Sequence, residues 1–110
     1  MEITIENVDQ VTVVRISGDI DGKTAPEVQV QISEQMQPGG KILLDMSGVA
    51  FMSSAGLRVL LTTYRRATQE KTKVVLAGLN DDIRDTMSAT GFLDFFVTCD
   101  TVEAGLQELQ

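Results

Sequence analysis

The sequence predicts a small α/β domain, a mixed and mostly parallel sheet of about four to five strands with about four helices in the order β-β-α-β-α-β-α-β-α. Three observations predict it. Short β-rich runs recur along the chain, as in Val11 to Ile16, Lys41 to Asp45 and Val74 to Ala77. Between them lie stretches whose apolar residues return at helical spacing. Turn residues, among them Pro38-Gly39-Gly40, Gly78 and Gly91, mark the changes of period. Strands that alternate with helices pair in parallel through right-handed crossovers.

Taken in order, Ile3 and Ile5 alternate with polar residues, as do Val11, Val13 and Ile16, and Asn7 to Gln10 separate the two runs. That is the pattern of a hairpin. Gly18 to Lys23 is an acidic, turn-rich loop. Thr24 is expected to cap the first helix, with Pro26 in its first turn and Glu27 three residues after the cap. Ala25, Val28, Ile32 and Met36 form its apolar stripe, and Pro38-Gly39-Gly40 stops it. Lys41 to Asp45 is apolar on both faces and so reads as a central strand. A second helix is expected from about Ala55, with Leu57, Leu60, Leu61 and Tyr64 on one face. Arg65, Arg66, Lys71 and Lys73 surround its end, where cations complement the helix dipole. Val74 to Ala77 is the next strand. Asp81 to Thr90 is a third helix with Ile83 and Met87 inward, and Phe95 to Cys99 a last strand. Val102, Leu106 and Leu109 give an amphipathic final helix.

The 110 residues are read as one domain, 1–110, without repeat, linker or low-complexity tract. A net charge of −7 repels nucleic acid, and no basic cluster with interleaved aromatics offsets it. No apolar run reaches the length that spans a bilayer, and MEITIENVDQ lacks the regions of a signal peptide. Cys99 is the only cysteine, which suits a reducing, cytoplasmic setting. Histidine is absent. That excludes Ser-His-Asp and Cys-His nucleophiles and every histidine-ligated metal site. Neither G-x-x-x-x-G-K-[ST] nor G-x-G-x-x-G occurs. The chain is poor in catalytic equipment, and neither enzymatic activity nor a cofactor is expected.

The most informative stretch is Asp45 to Leu61, DMSGVAFMSSAGLRVLL. A strand empties into a serine-bearing loop, and the loop leads into a helix whose first N–H groups lack internal partners. A serine there is a helix cap, a phosphorylation site favoured by the dipole, or both. Ser53 reads as the cap and Ser54 as the candidate acceptor. Arg58 opposes the dipole in the first turn, four residues after Ser54, where its guanidinium can turn back toward a phosphate. Asp19, Asp21 and Asp45 invite comparison with the Mg²⁺ cluster of a receiver domain. The acidic pair after the first strand and the lysine after the last strand that such a domain needs are both missing. Turn chemistry is the simpler account, with Asp45 bonding the backbone near Ser47-Gly48 and Asp21 supporting the Gly22 turn. Of Phe51 and Met52, one is expected in the core and the other to offer an apolar contact.

This stretch resembles the signature of the anti-sigma-factor antagonists, the free-standing proteins of the STAS domain family. Asp45, Val49, Phe51, Met52, Ser54, Gly56, Leu57, Val59 and Leu60 match it. Gly18 to Pro26 (GDIDGKTAP) is similar to the family's upstream Gly-x-Leu-Asp-x-x-Thr-Ala segment, and Met87 to Leu93 (MSATGFL) to the segment around its third helix. The chain departs in having Ser53 where the family has an acid, and Ala55 where it has a hydroxyl residue.

The resemblance implies a non-enzymatic switch. The unphosphorylated protein would bind an anti-sigma factor that is also a serine kinase. Phosphorylation of Ser54 would end that binding, and a metal-dependent serine phosphatase would restore it. The expected contact residues are Asp19, Asp21, Lys23, Thr24, Met52, Ser53, Ser54, Ala55, Gly56 and Arg58. Other uses of the same scaffold are a small-ligand or nucleotide sensor and a subunit of a larger assembly. The receiver-like phosphoaspartate module is a further alternative. Transporter-linked members of the family are disfavoured, since no membrane segment is present.

Overall fold

The computed structural model describes residues 1–110. Five strands form one sheet in the spatial order β1-β2-β3-β4-β5. They are β1 (Glu2–Val8), β2 (Val11–Ser17), β3 (Lys41–Gly48), β4 (Lys73–Ala77) and β5 (Val97–Cys99). The helices are α1 (Ala25–Gln35), α2 (Ser54–Glu70), α3 (Asp81–Ala89) and α4 (Val102–Glu108). Only β1 and β2 are antiparallel, and β2–β3, β3–β4 and β4–β5 all pair in parallel. The expected element order is therefore the observed one.

Alternate strand residues face opposite sides. Val14, Ile16, Ile42, Leu44, Met46 and Leu76 meet the buried faces of α1, α2 and α3 in the larger core. Val11, Val13, Leu43, Val75 and Ala77 face the other way, against Leu109 and the inner side of α4. α4 lies close to the sheet because Gly105 carries no side chain. A Cβ there would stand 2.6 Å from Leu43 Cδ1.

Beyond the cover of α4, that second face turns polar. Arg15 spans it, pairing with Glu6 on β1 and standing 3.5 Å from Asp45 Oδ2 on β3. Asp45 also accepts from the Ser47 amide (3.1 Å) and hydroxyl (2.7 Å). Asp45 thus bonds the backbone at Ser47 as expected, but within β3 instead of in a turn, and holds a cross-strand pair besides.

Several boundaries differ from expectation. Asn7 belongs to β1, and the hairpin turns on Asp9 and Gln10 alone, at φ of 50° and 70°. Two consecutive positive φ values match the right-handed twist of the flanking strands. β3 continues past Asp45 to Gly48, because β2 still offers Ser17 as a partner for Gly48. α2 buries Gly56, Leu57, Val59, Leu60, Thr63 and Ala67, while Leu61 and Tyr64 are only half-buried. The last strand is shorter than Phe95 to Cys99. Leu93–Phe95 form a 3₁₀ turn and β5 begins at Val97. The aromatic residues here pack instead of alternating. Phe95 stacks on Tyr64 at 5.1 Å, and Phe96 meets the same ring edge-on at 5.7 Å.

Candidate functional site

Two loops leave the sheet at the ends of β2 and β3, and main-chain hydrogen bonds join them. Gly18 N donates to Gly48 O (3.0 Å), Ile20 N to Phe51 O (3.0 Å) and Ser53 N to Ile20 O (2.9 Å). Ile20 and Met52 thereby form a single parallel bridge that prolongs the β2–β3 pairing. Both side chains point into the core, at 1% and 8% exposure. The residues on either side of the bridge are turned away from the core. Asp19 and Lys23 are exposed and Asp21 is half-buried. The acidic loop and the serine pair thus share one surface.

Thr24 does not cap α1 with its side chain. It sits in a helical conformation, and its hydroxyl donates to Asp19 O (2.7 Å) and accepts from Asp21 N (3.0 Å). The capping role has moved upstream to Asp21, whose Oδ1 accepts from the amides of Lys23 (2.9 Å) and Thr24 (3.2 Å). A carboxylate within reach satisfies the open turn better than a hydroxyl that must also brace the loop. The Lys23 amide, then the Thr24 amide, hold the Asp21 carboxyl below its ordinary value against the opposing effect of burial, with lesser help from the Thr24 hydroxyl and the Lys23 charge. A depressed carboxylate lends stability above its unfolded-state pKa and loses it as pH falls through the folded-state value. Asp21→Asn, which keeps the acceptor and removes the charge, is expected to be less stable than the parent at neutral pH. The gap should close as pH falls below the ordinary carboxylate range, read by urea denaturation across pH. A gap constant over that range contradicts the assignment.

Ser53 is the N-cap of α2, as expected, with its Oγ accepting from Ala55 N at 3.2 Å. Ser54 is therefore the first helical residue, one position earlier than the expected start. It is exposed, and its hydroxyl bonds nothing in the protein. Leu57 N donates to Ser53 O (3.1 Å), closing the first turn. Arg58 is exposed and makes no ion pair. With Gly22, Ala25, Pro26 and Ala55 it borders a groove of about 380 Å³ between α1 and α2.

Of the expected contact residues, Met52 and Gly56 face the core. The neighbour left at the surface is Phe51, 54% exposed, beside a cleft of about 270 Å³ shared with Asp82, Ile83 and Thr86 of α3. Gly56 is where α2 passes closest to the bridge. A Cβ would lie 2.2 Å from Met52 Cγ and 3.1 Å from Ile20 O. Asp19, Asp21 and Asp45 do not converge, and no group of three acidic or cysteine side chains could hold a cation. Burial pushes the Cys99 thiol up, with the charges of Glu108 and Asp100 adding to it.

Asn80 was not foreseen, although an Asn before Asp81-Asp82 is a capping pattern. Its Oδ1 caps α3 by accepting from Ile83 N (2.8 Å), and its Nδ2 donates to Ala50 O (3.0 Å), tying α3 to the loop that carries Phe51. Asn80→Ala is expected to cost about 1–2 kcal/mol. Asn80→Asp keeps the cap but sets a carboxylate against the Ala50 carbonyl, and so should recover only part of that loss. Full recovery of thermal stability in Asn80→Asp would show that the Ala50 bond contributes nothing.

Comparison with known proteins places the chain. The family model described as STAS domain matches residues 2–105. The anti-sigma F factor antagonist of Paenibacillus polymyxa is 27% identical over 112 residues, covering 100% of this chain and 96% of that protein. The anti-sigma-B factor antagonist of Listeria monocytogenes is 30% identical over 95 residues, with 86% and 82% covered. Among solved structures, an anti-sigma factor antagonist from Mycobacterium paratuberculosis superposes with a TM-score of 0.85 at 29% identity, over 98% of this chain and 92% of that one. The chain belongs to the STAS domain family. No helix is long and apolar enough to cross a membrane.

Proposed function

From that membership we propose that this chain is an anti-sigma-factor antagonist, a non-enzymatic, cytoplasmic protein. Unphosphorylated, it binds an anti-sigma factor that is also a serine kinase, through the joined loops Gly18 to Lys23 and Ser53 to Arg58. The observation that carries this reading is the division of labour between the serines. Ser53 caps α2, so the Ser54 hydroxyl is free, exposed and beside the acidic loop.

A phosphate on Ser54 adds about 1.5–2 negative charges and three acceptor oxygens. The N-terminus of α2 tolerates it, because the dipole and open amides favour an anion. A partner surface built to meet a neutral hydroxyl does not, and the desolvation and like-charge costs expel it. The switch therefore needs no change of fold. A metal-dependent serine phosphatase resets it.

In this reading Arg58, exposed and unpaired one turn downstream, pairs with the phosphate. Arg58→Ala should then speed dephosphorylation, and an unchanged rate removes this role.

The direct test is calorimetric titration of the purified chain against its candidate kinase, with and without prior incubation with ATP. Tight binding that disappears after phosphorylation supports the switch. Binding indifferent to phosphorylation leaves an antagonist controlled elsewhere, and no binding in either state removes the proposal.

A further inference from the structure

The end of the molecule far from Ser54 carries features that the proposed switch does not use. α2 runs 17 residues, about 25 Å, so its two ends lie at opposite ends of the sheet. At its C-terminal end the rings of Tyr64, Phe95 and Phe96, with Lys71 and Lys73, line an open cleft of about 310 Å³. Phe95 is 45% exposed, and so nearly is Val97, which opens the edge strand β5. Lys71 ends the helix at φ 56°, ψ 35°. Glycine or asparagine fills that left-handed position at less cost. Neither Lys71 nor Lys73 has an ion-pair partner, in a chain of net charge −7. An aromatic-lined cleft rimmed by unpaired lysines favours an occupant that combines a ring with negative charge.

The opposite end of the same chain has that combination. Phe51 is the most exposed large hydrophobic residue, and Asp82 lies exposed beside it in the first turn of α3, preceded by the exposed Asp81. We propose that the chain associates head to tail with a second copy of itself. Phe51 of one copy seats in the Tyr64–Phe95–Phe96 cleft of the next, and Asp81 and Asp82 face Lys71 and Lys73. The contact joins unlike surfaces, so it adds copies in a row instead of closing as a twofold dimer. Phe51 adjoins Ser53 and Ser54, so a seated copy covers the serines and competes with the kinase. That consequence alone rests on the proposed function.

Sedimentation velocity on the full chain over rising concentration, at low and high salt, tests the association. The average mass should climb with concentration and fall back in salt. Phe51→Asp, which removes the ring, and Lys71→Glu/Lys73→Glu, which reverses the rim, should each weaken association by about tenfold or more. The decisive sample mixes the two. The first variant keeps an intact cleft and the second an intact Phe51, so together they should form a one-to-one dimer that grows no further. A parent chain that stays monomeric, an oligomer indifferent to salt and to both variants, or a mixture that fails to dimerise each overturns the proposal. Lys71→Gly guards against a folding artefact. It relaxes the left-handed C-cap and so should raise thermal stability while still weakening association. Kinase binding enters none of these readouts, so their failure leaves the proposed function standing.

Discussion

Gly56→Ala is expected to lower stability by about 1–2 kcal/mol and to weaken partner binding as well. Alanine ordinarily strengthens a helix relative to glycine, by about 0.5–1 kcal/mol. Here that gain is outweighed. The new methyl would stand 2.2 Å from Met52 Cγ, 3.0 Å from Ile20 Cγ2 and 3.1 Å from Ile20 O. The Met52 side chain can shift, but the Ile20 carbonyl already accepts from Ser53 N and cannot retreat without opening the bridge. Overpacking of this kind costs about 1–3 kcal/mol. In a domain of this size each kcal/mol lowers Tm by about 4–8 °C. Gly22→Ala is the control, since a Cβ there meets nothing within 4 Å and should stay within about 0.5 kcal/mol of the parent. If Gly56→Ala is as stable as Gly22→Ala, the close approach of α2 to the bridge is not what positions the serines.

Ser54→Asp is expected to reduce affinity for the kinase by about a hundredfold, or about 2.7 kcal/mol, with little effect on stability. The carboxylate sits in the first helical turn, where the dipole accepts negative charge. On the docking face the same charge is uncompensated. Ser53→Ala should behave in the opposite way. It loses the bond to Ala55 N and with it about 1 kcal/mol of stability, while leaving an acceptor hydroxyl on Ser54. Calorimetric titration and thermal melts on the two variants separate the roles. Both variants losing stability and neither losing affinity would make Ser54 a purely structural residue.

Periodicity and punctuation carried most of the architecture. The central strand Lys41 to Asp45, its doubly buried run Ile42-Leu43-Leu44, and the helix after Ser53 follow from local pattern, and the structure has them. What local pattern does not encode is competition between neighbours. Thr24 looks like a cap until Asp21, three residues earlier, supplies the better acceptor and recruits the threonine to brace Asp19. Phe95 and Phe96 read as strand because aromatics favour strands. Tyr64, 31 positions upstream of Phe95 by these residue numbers, instead gathers both rings beside α2. The inward turn of Met52 and the outward turn of Phe51 depend on the parity of one isolated bridge to Ile20. That parity is set by a contact between loops, which no spacing within either loop reveals. The Ser53 cap was legible, because a cap acts over two residues.

The central claim is that Ser54 is the residue through which a kinase turns off binding. Incubating the full chain with ATP and its candidate kinase, then mapping phosphate by fragmentation mass spectrometry, tests it most directly. The account predicts a single acid-stable phosphate on Ser54 and a protein that no longer binds that kinase. Phosphate on Ser53 in place of Ser54, an acid-labile acyl phosphate on an aspartate, or a Ser54 phosphoprotein that still binds as before would contradict it.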